Sequence, residues 1–201
     1  MKGGMEPWPQ RSADAPPDDA ALVRAAQSGD SAAFTAIVER YQRRVYRVAY
    51  GLVRSHEDAD DLAQEAFVRA WQALDRFRVG EPLYPWLARI VTNLAYSLFR
   101  RRKRRPETSI EPLVEAGMQW GADDDPADHA ADRERAAHLI EAFEELSEDH
   151  RAILVLRVVD GLSYDEIART LEIAPGTVMS RLSRARAELK SRLEARTKET
   201  P

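Results

Sequence analysis

Apolar residues recur at steps of three and four along most of this chain, and that spacing constrains the fold more than any other feature. The longest such run comprises Phe34, Ile37, Val38, Tyr41, Val45, Val48 and Ala49. Residues at these intervals share one face of a helix. Aromatic residues make up only 7% of the chain, while Ala, Leu, Arg and Glu are abundant, a composition that favours helices over sheets. The sequence therefore predicts an all-α fold.

The first half of the chain predicts four helices. The helical pattern begins at Ala21 and is broken at Gly29, after which a second helix follows. A third helix is expected to start near Ser55, with acidic residues in its first turns, where the helix dipole favours negative charge. Residues 78–82 form a loop, and Pro85-Trp86 starts a fourth helix that ends in six consecutive basic residues, Arg100 to Arg105.

The last third of the chain predicts a helix-turn-helix unit. A short amphipathic helix over 137–146 precedes a helix that closes at Asp160-Gly161. Ser163 and Glu166 then fit a capping box that opens the next helix. A turn over 172–176 leads into a last helix from Thr177 to about Arg196. Two helices joined by so short a turn are typical of helix-turn-helix proteins.

These elements divide the chain into two small helical domains. Residues 1–20 are rich in proline and poor in large aliphatic residues, which predicts a disordered tail. Residues 21–105 form the first domain. Residues 106–135 contain three prolines and nine acids without sustained periodicity, which predicts a flexible acidic linker. Residues 136–197 form the second domain, which holds the helix-turn-helix.

Charge is segregated along the sequence. The net charge is -4, yet residues 30–105 carry +6, 106–135 carry -7 and 176–198 carry +5. Two basic surfaces separated by an acidic segment favour nucleic acid as the partner.

Several classes of protein are excluded by the composition. The longest aliphatic run is Ile153 to Leu156, far below the roughly 20 apolar residues of a membrane helix. Residues 1–20 lack the apolar core of a signal peptide, and the chain has no cysteine. We therefore expect a cytoplasmic protein without membrane insertion, disulfides or thiolate metal sites.

The last helix presents a face suited to the major groove of DNA. Val178, Leu182, Ala185 and Leu189 fall at steps of four, three and four and are expected to face the core. The candidate DNA-binding residues on the remaining surface are Thr177, Ser180, Arg181, Ser183, Arg184 and Arg186. Arginine binds guanine edges and phosphates, and hydroxyls suit phosphate oxygens. The alternative is a solvated basic face, but the cap, the Pro-Gly turn and the basic helix occur together.

Aromatic and cationic residues are interleaved around the start of the fourth helix. The candidates there are Arg76, Phe77, Arg78, Tyr84, Trp86 and Arg89, followed by Tyr96 and Phe99. Single-stranded bases stack on rings that lie beside cations, although some of these rings, Trp86 above all, are also candidates for the core.

Four segments resemble the bacterial RNA polymerase sigma factors of the extracytoplasmic-function group. Residues 58–71 (DADDLAQEAFVRAW) are similar to the core-polymerase-binding helix of that family, and residues 86–95 (WLARIVTNLA) with the arginine run to its promoter-melting helix. Residues 162–168 (LSYDEIA) and 176–186 (GTVMSRLSRAR) are similar to its helix-turn-helix. The four segments stand in the order and spacing of the family.

The resemblance implies a function and a set of contacts. A sigma factor binds core RNA polymerase, directs it to promoters and opens the DNA. The implied polymerase-binding residues are Asp58, Asp61, Gln64, Glu65 and Arg69. The loop from Asp75 to Pro85 would hold a base flipped from the non-template strand of the minus-ten element, while Arg89, Asn93 and the run containing Arg100, Arg101 and Arg102 would hold neighbouring bases and phosphates. The last helix would read the minus-thirty-five element, with Arg181 and Arg184 as main readers.

The family also suggests partners and a role for the linker. An anti-sigma factor is a plausible inhibitory partner, and the acidic linker would thread the RNA path of the polymerase.

Other functions fit the residues less well. His56, His129, His138 and His150 are scattered singly, so no metal site is expected, and no glycine-rich phosphate loop or nucleophile elbow suggests an enzyme or a cofactor. The alternative function is that of a helix-turn-helix repressor or activator that binds duplex DNA without polymerase. That function would account for the sequence features of the second domain but not for those of the first. A helical adaptor that binds other proteins would show no salt-dependent DNA binding.

Overall fold

The protein is all helical in the parts of the chain that the structure describes. The structure, a computed structural model, describes residues 18–104 and 126–199, with side chains described over 18–104 and 135–196. Its helices are α1 (Asp19–Gln27), α2 (Ser31–Val53), α3 (His56–Ala73), α4 (Leu83–Arg104), α5 (Pro126–Glu144), α6 (Glu148–Leu154), α7 (Tyr164–Leu171) and α8 (Pro175–Glu199). A 3-10 turn over Leu74–Arg76 follows α3, and a π-helical segment over Val155–Val159 follows α6. The predicted all-α fold in two helical domains is confirmed.

Side-chain caps fix the starts of the helices in the first domain. The carboxylate of Asp18 accepts a hydrogen bond from Ala21 N–H at 2.7 Å, and that of Asp30 accepts from Ala32 N–H at 2.9 Å. The hydroxyl of Ser55 accepts from Asp58 N–H at 3.3 Å, which confirms the predicted start of the third helix. Each cap satisfies an amide that has no partner within its own helix.

The core of the first domain lies where α2, α3 and α4 meet. The periodic run on α2 supplies Ile37, Val45 and Val48, while α4 supplies Leu87 and Val91, all at most 1% exposed. The apolar stripes read from the sequence are therefore the buried faces of these helices.

The second domain is organised by the helix-turn-helix formed by α7 and α8. Ser163 and Glu166 form the predicted capping box, in which Ser163 N–H donates to the Glu166 carboxylate at 2.8 Å. This hydrogen bond lowers the pKa of Glu166. Glu172 ends α7 in the left-handed region at φ 52°, and α8 starts three residues later.

Four helices begin earlier than the sequence predicts. The first starts at Asp19, not Ala21, so Asp19 and Ala20 are helical although the sequence predicts a disordered tail over 1–20. The fourth helix starts at Leu83, not Pro85, and the last starts at Pro175, not Thr177. Helix α5 starts at Pro126, inside the segment 106–135 that the sequence predicts to be linker. Proline is favoured in the first turn of a helix, where its missing N–H costs nothing. Residues 1–17 of the predicted tail, and residues 105–125, which include most of the predicted linker over 106–135, lie outside the described residues.

The two domains share one continuous core. Gly51 of α2 lies against Val155 of the π-helical segment, and a Cβ built on Gly51 would come within 2.9 Å of a methyl group of Val155. The Thr170 hydroxyl of α7 donates to the carbonyl oxygen of Pro85 on α4 at 3.3 Å. The Asp160 side chain, 0% exposed, pairs with Arg44 and Arg47 of α2 at 3.2 and 3.0 Å.

Within the described ranges, no helix has the length and apolar character needed to cross a membrane.

Candidate nucleic-acid and polymerase interfaces

The outward face of α8 matches most of the predicted recognition surface. Val178, Leu182 and Ala185 are at most 2% exposed and anchor the helix to its domain. The hydroxyl and guanidinium side chains on the opposite side are Ser180, Ser183, Arg184 and Arg186, all exposed, with Thr177 half-buried at the edge. A basic face of this kind, on the second helix of a helix-turn-helix, can enter the major groove and reach both base edges and phosphates.

Arg181 differs from the other residues of this face. Its side chain is only 20% exposed and pairs with Asp149 of α6 at 3.4 Å. Asp149 also accepts a hydrogen bond from Tyr96 of α4 at 3.2 Å, and burial raises the pKa of Tyr96. Arg181 therefore lies at the contact between the two domains, whereas Arg184 faces outward with its Nε–H donating to the Ser180 carbonyl oxygen at 3.3 Å.

An open cleft of about 280 Å³ lies between α3 and α4 in the first domain. Its lining comprises Arg69, Ala73, Trp86, Arg89, Ile90 and Asn93. The cleft combines an indole ring, two guanidinium groups and an amide, which are groups that stack on bases and bind their edges and phosphates. The structure thus brings Trp86, Arg89 and Asn93 together as the sequence predicts, and adds Arg69, which the sequence assigned to polymerase binding.

The charges around this cleft are partly paired. Arg89 binds Glu172 of the second domain at 2.7 Å, and Arg69 binds Glu65 at 2.7 Å. Farther along α4, the side chains of Arg100, Arg101 and Arg102 are exposed. Arg102 also pairs with Asp58 at 2.7 Å, which joins a predicted DNA-binding residue to a predicted polymerase-binding one.

Tyr84 is not available for stacking on a base in this arrangement. It is 5% exposed, it stacks on Tyr41 with ring centroids 5.5 Å apart, and the guanidinium carbon of Arg44 lies 3.5 Å from its ring centroid. Burial raises the pKa of its hydroxyl. The aromatic pattern in the sequence does not separate such a core ring from the surface, and Tyr84 belongs to the contact between the domains.

The loop before α4 is held by a residue that the sequence analysis missed. Phe77 packs against Trp86 with ring centroids 4.9 Å apart, while Arg76 and Arg78 are exposed on either side. The Gln27 side-chain amide of α1 donates to the carbonyl oxygens of Leu74 and Phe77, both at 2.9 Å. Because Gln27 is about fifty positions away in the chain, no local signal could have revealed this contact.

Replacing Gln27 by leucine is expected to loosen the loop over residues 77–82. The substitution keeps the apolar stem but leaves two part-buried carbonyl oxygens without their donor, at a cost of about 1–2 kcal/mol. Amide hydrogen exchange of the loop over residues 77–82 should therefore quicken. Gln42→Leu, at an exposed position of α2, is the matched control. Unchanged exchange in Gln27→Leu would show that this contact does not position the loop.

The outward face of α3 carries the predicted polymerase-binding residues together with two apolar ones. Asp61, Gln64 and Glu65 are exposed, whereas Asp58 is half-buried beside Arg102. Val68 is 49% exposed and Trp71 is 44% exposed at the end of the same helix. An apolar patch with an acidic rim is typical of protein interfaces. The helical period of α3 places Val68 with Asp61 and Glu65 and could have identified it.

Among the described residues, no group of histidine and acidic side chains is placed to hold a metal ion.

Comparisons with known proteins agree with this geometry. The family described as Sigma-70 region 2 matches residues 37–105, and the family described as Sigma-70, region 4 matches residues 137–189. The chain is 36% identical to the ECF RNA polymerase sigma-E factor of Escherichia coli K12 over 181 residues, which cover 88% of this chain and 94% of that protein. The chain belongs to the extracytoplasmic-function group of sigma-70 factors. The resemblance predicted from the sequence is confirmed, and the protein is a sigma factor that directs promoter-specific initiation by RNA polymerase.

Other sigma factors show the same relationship in sequence and in fold. The RNA polymerase sigma-H factor of Pseudomonas aeruginosa is 35% identical over 88% of this chain and 94% of its own length. CnrH, solved in complex with the cytosolic domain of CnrY, aligns with a TM-score of 0.66 at 29% identity, covering 88% of this chain and 97% of CnrH. The sigma factor RpoE of Bartonella quintana, solved with the anti-sigma factor NepR, aligns with a TM-score of 0.63 at 30% identity, covering 80% of this chain and 96% of RpoE.

Proposed function

We propose that the two domains of this sigma factor divide the work of initiation. The domain over residues 21–105 binds core RNA polymerase and opens the minus-ten element, and the domain over 136–197 reads the minus-thirty-five element. The observation that carries this proposal is the outward face of α8, which presents hydroxyls and arginines while its apolar face is buried in the domain. Sigma factors are DNA-recognition subunits, so we assign this chain no catalytic step and no cofactor.

Core polymerase docks on the outward face of α3. The exposed Val68 and Trp71 give this face an apolar centre, and Asp61, Gln64 and Glu65 give it an acidic and polar rim. Apolar area supplies affinity in such interfaces, while rim charges select the partner and its orientation. A basic or neutral polymerase surface fits this face, and an acidic one does not.

The melted non-template strand binds the first domain at the cleft between α3 and α4. Trp86 offers an exposed part of its ring, Asn93 offers donors and an acceptor for base edges, and Arg89 offers a cation for phosphate. The exposed run Arg100 to Arg102 extends the positive charge along α4. An unstacked base costs a few kcal/mol, and contacts in such a cleft offset that cost.

Arg184 is the main reader of duplex DNA in this proposal. We expect Arg184→Ala to weaken promoter-specific binding of the holoenzyme by about 5- to 150-fold, the value of one bidentate base contact. Binding to core polymerase should not change, because Arg184 lies on α8 and the polymerase face lies on α3. Lys190→Ala, which removes an exposed cation farther along the same helix, should leave promoter choice unchanged.

Run-off transcription with purified core polymerase and a pool of genomic promoter fragments measures this prediction directly. Native protein should produce promoter-specific transcripts that Arg184→Ala loses. Should the variant transcribe the same promoters with native efficiency, α8 does not read them. Duplex DNA binding without any transcript would instead favour a helix-turn-helix repressor or activator.

We further propose an anti-sigma factor as a partner of this chain. RpoE, at 30% identity, was solved with the anti-sigma factor NepR, and CnrH, at 29% identity, was solved with the cytosolic domain of CnrY. An inhibitor that covers the α3 face would compete with polymerase for Val68 and Trp71. Because polymerase transcribes chromosomal DNA, we place the protein in the cytoplasm.

A further inference from the structure

Helix α8 exposes one large apolar side chain at the edge of its polar face. Met179 is 61% exposed and is the large apolar residue that the described part of α8 leaves to solvent. It lies in the second turn of the helix beside Ser180 and one turn before Ser183, both exposed. Met179 carries neither a hydroxyl nor a guanidinium, so it is not among the DNA-binding residues that the sequence predicts on this helix.

The position of Met179 matches the part of a recognition helix that enters the major groove. In helix-turn-helix proteins, residues near the N-terminus of the second helix contact base edges, and Met179 is the fifth residue of α8. The major groove carries one apolar group that distinguishes a base, the 5-methyl of thymine. Methionine is unbranched and flexible, so its thioether end can reach such a methyl without strain on the helix.

We propose that Met179 is a specificity-determining residue that contacts the 5-methyl group of a thymine in the minus-thirty-five element. The inference rests on the proposed assignment of α8 to promoter DNA. Met179 reads the thymine, and Ser183, one turn away on the same side of α8 and also exposed, supplies a polar contact to a neighbouring base or phosphate.

The surroundings of Met179 favour DNA over a protein partner. A protein interface is centred on contiguous apolar area with a polar rim, whereas the exposed neighbours of Met179 on its side of the helix are Ser183 and Arg186. A hydroxyl and a guanidinium beside a single apolar side chain are groups that bind phosphates and base edges. Val68 and Trp71 on α3 show the opposite pattern, since there two large apolar residues share one face.

The test replaces single thymines by deoxyuridine in a promoter recognised by the holoenzyme. This change removes only the 5-methyl group and leaves every hydrogen-bonding group in place. With native protein, replacement of one thymine in the minus-thirty-five element should lower the affinity of the holoenzyme for the promoter by about fourfold. This is the value of burying one methyl group. With Met179→Ala, the same replacement should have no effect, because the side chain that contacts the methyl is gone.

Two variants serve as controls. Met179→Leu keeps an apolar side chain of similar size and should retain most of the sensitivity to deoxyuridine. Lys190→Ala should retain all of it, because Lys190 lies eleven residues farther along α8. Both positions are exposed, so the variants are expected to fold like the native protein.

The inference is overturned if no thymine of the element is sensitive to loss of its methyl, or if Met179→Ala keeps the native sensitivity. Loss of polymerase binding in Met179→Ala with unchanged sensitivity would also overturn it, in favour of a protein contact. Arg184→Ala separates this failure from that of the proposed function. If Arg184→Ala weakens promoter binding, only the proposed role of Met179 is wrong. If Arg184→Ala also has no effect, the assignment of α8 to promoter DNA is wrong as well.

Discussion

Replacing Arg44 and Arg47 together by methionine will loosen the contact between the two domains and lower the free energy of unfolding by about 3 kcal/mol. Both guanidinium groups bind Asp160, whose side chain is 0% exposed. Methionine preserves the aliphatic stem of each arginine but leaves the carboxylate buried without a counter-charge. The expected loss in the free energy of unfolding is at the low end of the range for breaking a buried ion pair. The reason is that the two arginine side chains are themselves 37% and 48% exposed.

Thermal unfolding and amide hydrogen exchange of Val155–Val159 measure this effect. Arg43→Met, at the exposed neighbouring position, is the matched control and should change neither. Adding Asp160→Asn to the double variant should restore most of the lost stability, because the buried charge is then removed as well. Equal stability of the double variant and the native protein, with unchanged exchange in the π-helical segment, would contradict this account of the contact.

The local part of this fold could be predicted from the sequence. Caps such as Ser55 and the Ser163–Glu166 box involve residues three positions apart, so a short window of sequence contains all the groups that make them. The buried stripe of α2 follows from one helical period for the same reason. Starts near proline are predicted less accurately. Helices α4 and α8 begin two residues before their predicted starts, and α5 begins at Pro126, eleven residues before, because its first turns lie in a segment whose acids and proline indicate a linker.

The contact between the domains could not be predicted in this way. Arg44 and Asp160 are 116 positions apart in the chain, and no pattern in either helix indicates the other. The acidic segment 106–135 suggested two domains that are joined only by a linker, yet α2 and α4 pack against the π-helical segment and α7. A charge on a predicted helix surface is solvated as readily as it is paired, so it does not indicate a distant partner.

The same limit applies to the candidate site. The outward residues of α8 and the group formed by Trp86, Arg89 and Asn93 follow from periodicity and from the resemblance. Tyr84 does not, because its burial comes from packing against Tyr41 and Arg44, which are about forty positions away in the chain. Val68 and Met179 do not follow either, but for a different reason, since neither carries the charge or hydroxyl that marks the other candidate residues in the sequence.

Reversing the charge of Asp61 and Glu65 to arginine will weaken binding to core polymerase by about 100-fold or more. Both carboxylates lie on the exposed face of α3 that we propose as the polymerase interface. Like charges brought together in an interface cost several kcal/mol, and each 1.4 kcal/mol is about tenfold in affinity. Arg69 adds to the effect, because it loses its pairing with Glu65 at 2.7 Å and meets a like charge four residues away.

Equilibrium binding of the labelled full-length protein to purified core polymerase measures the loss, and its dependence on salt should also change. Glu39→Arg makes the same change of charge at an exposed position of α2, and it should bind polymerase like the native protein. Val68→Asp tests the apolar centre of the face separately and should also weaken binding, because a buried, unpaired carboxylate in an interface is costly. If the Asp61 and Glu65 variant binds like Glu39→Arg, the polymerase interface lies elsewhere on the first domain. If Val68→Asp alone has no effect, the contact is made by rim charges, and the apolar pair on α3 has another partner.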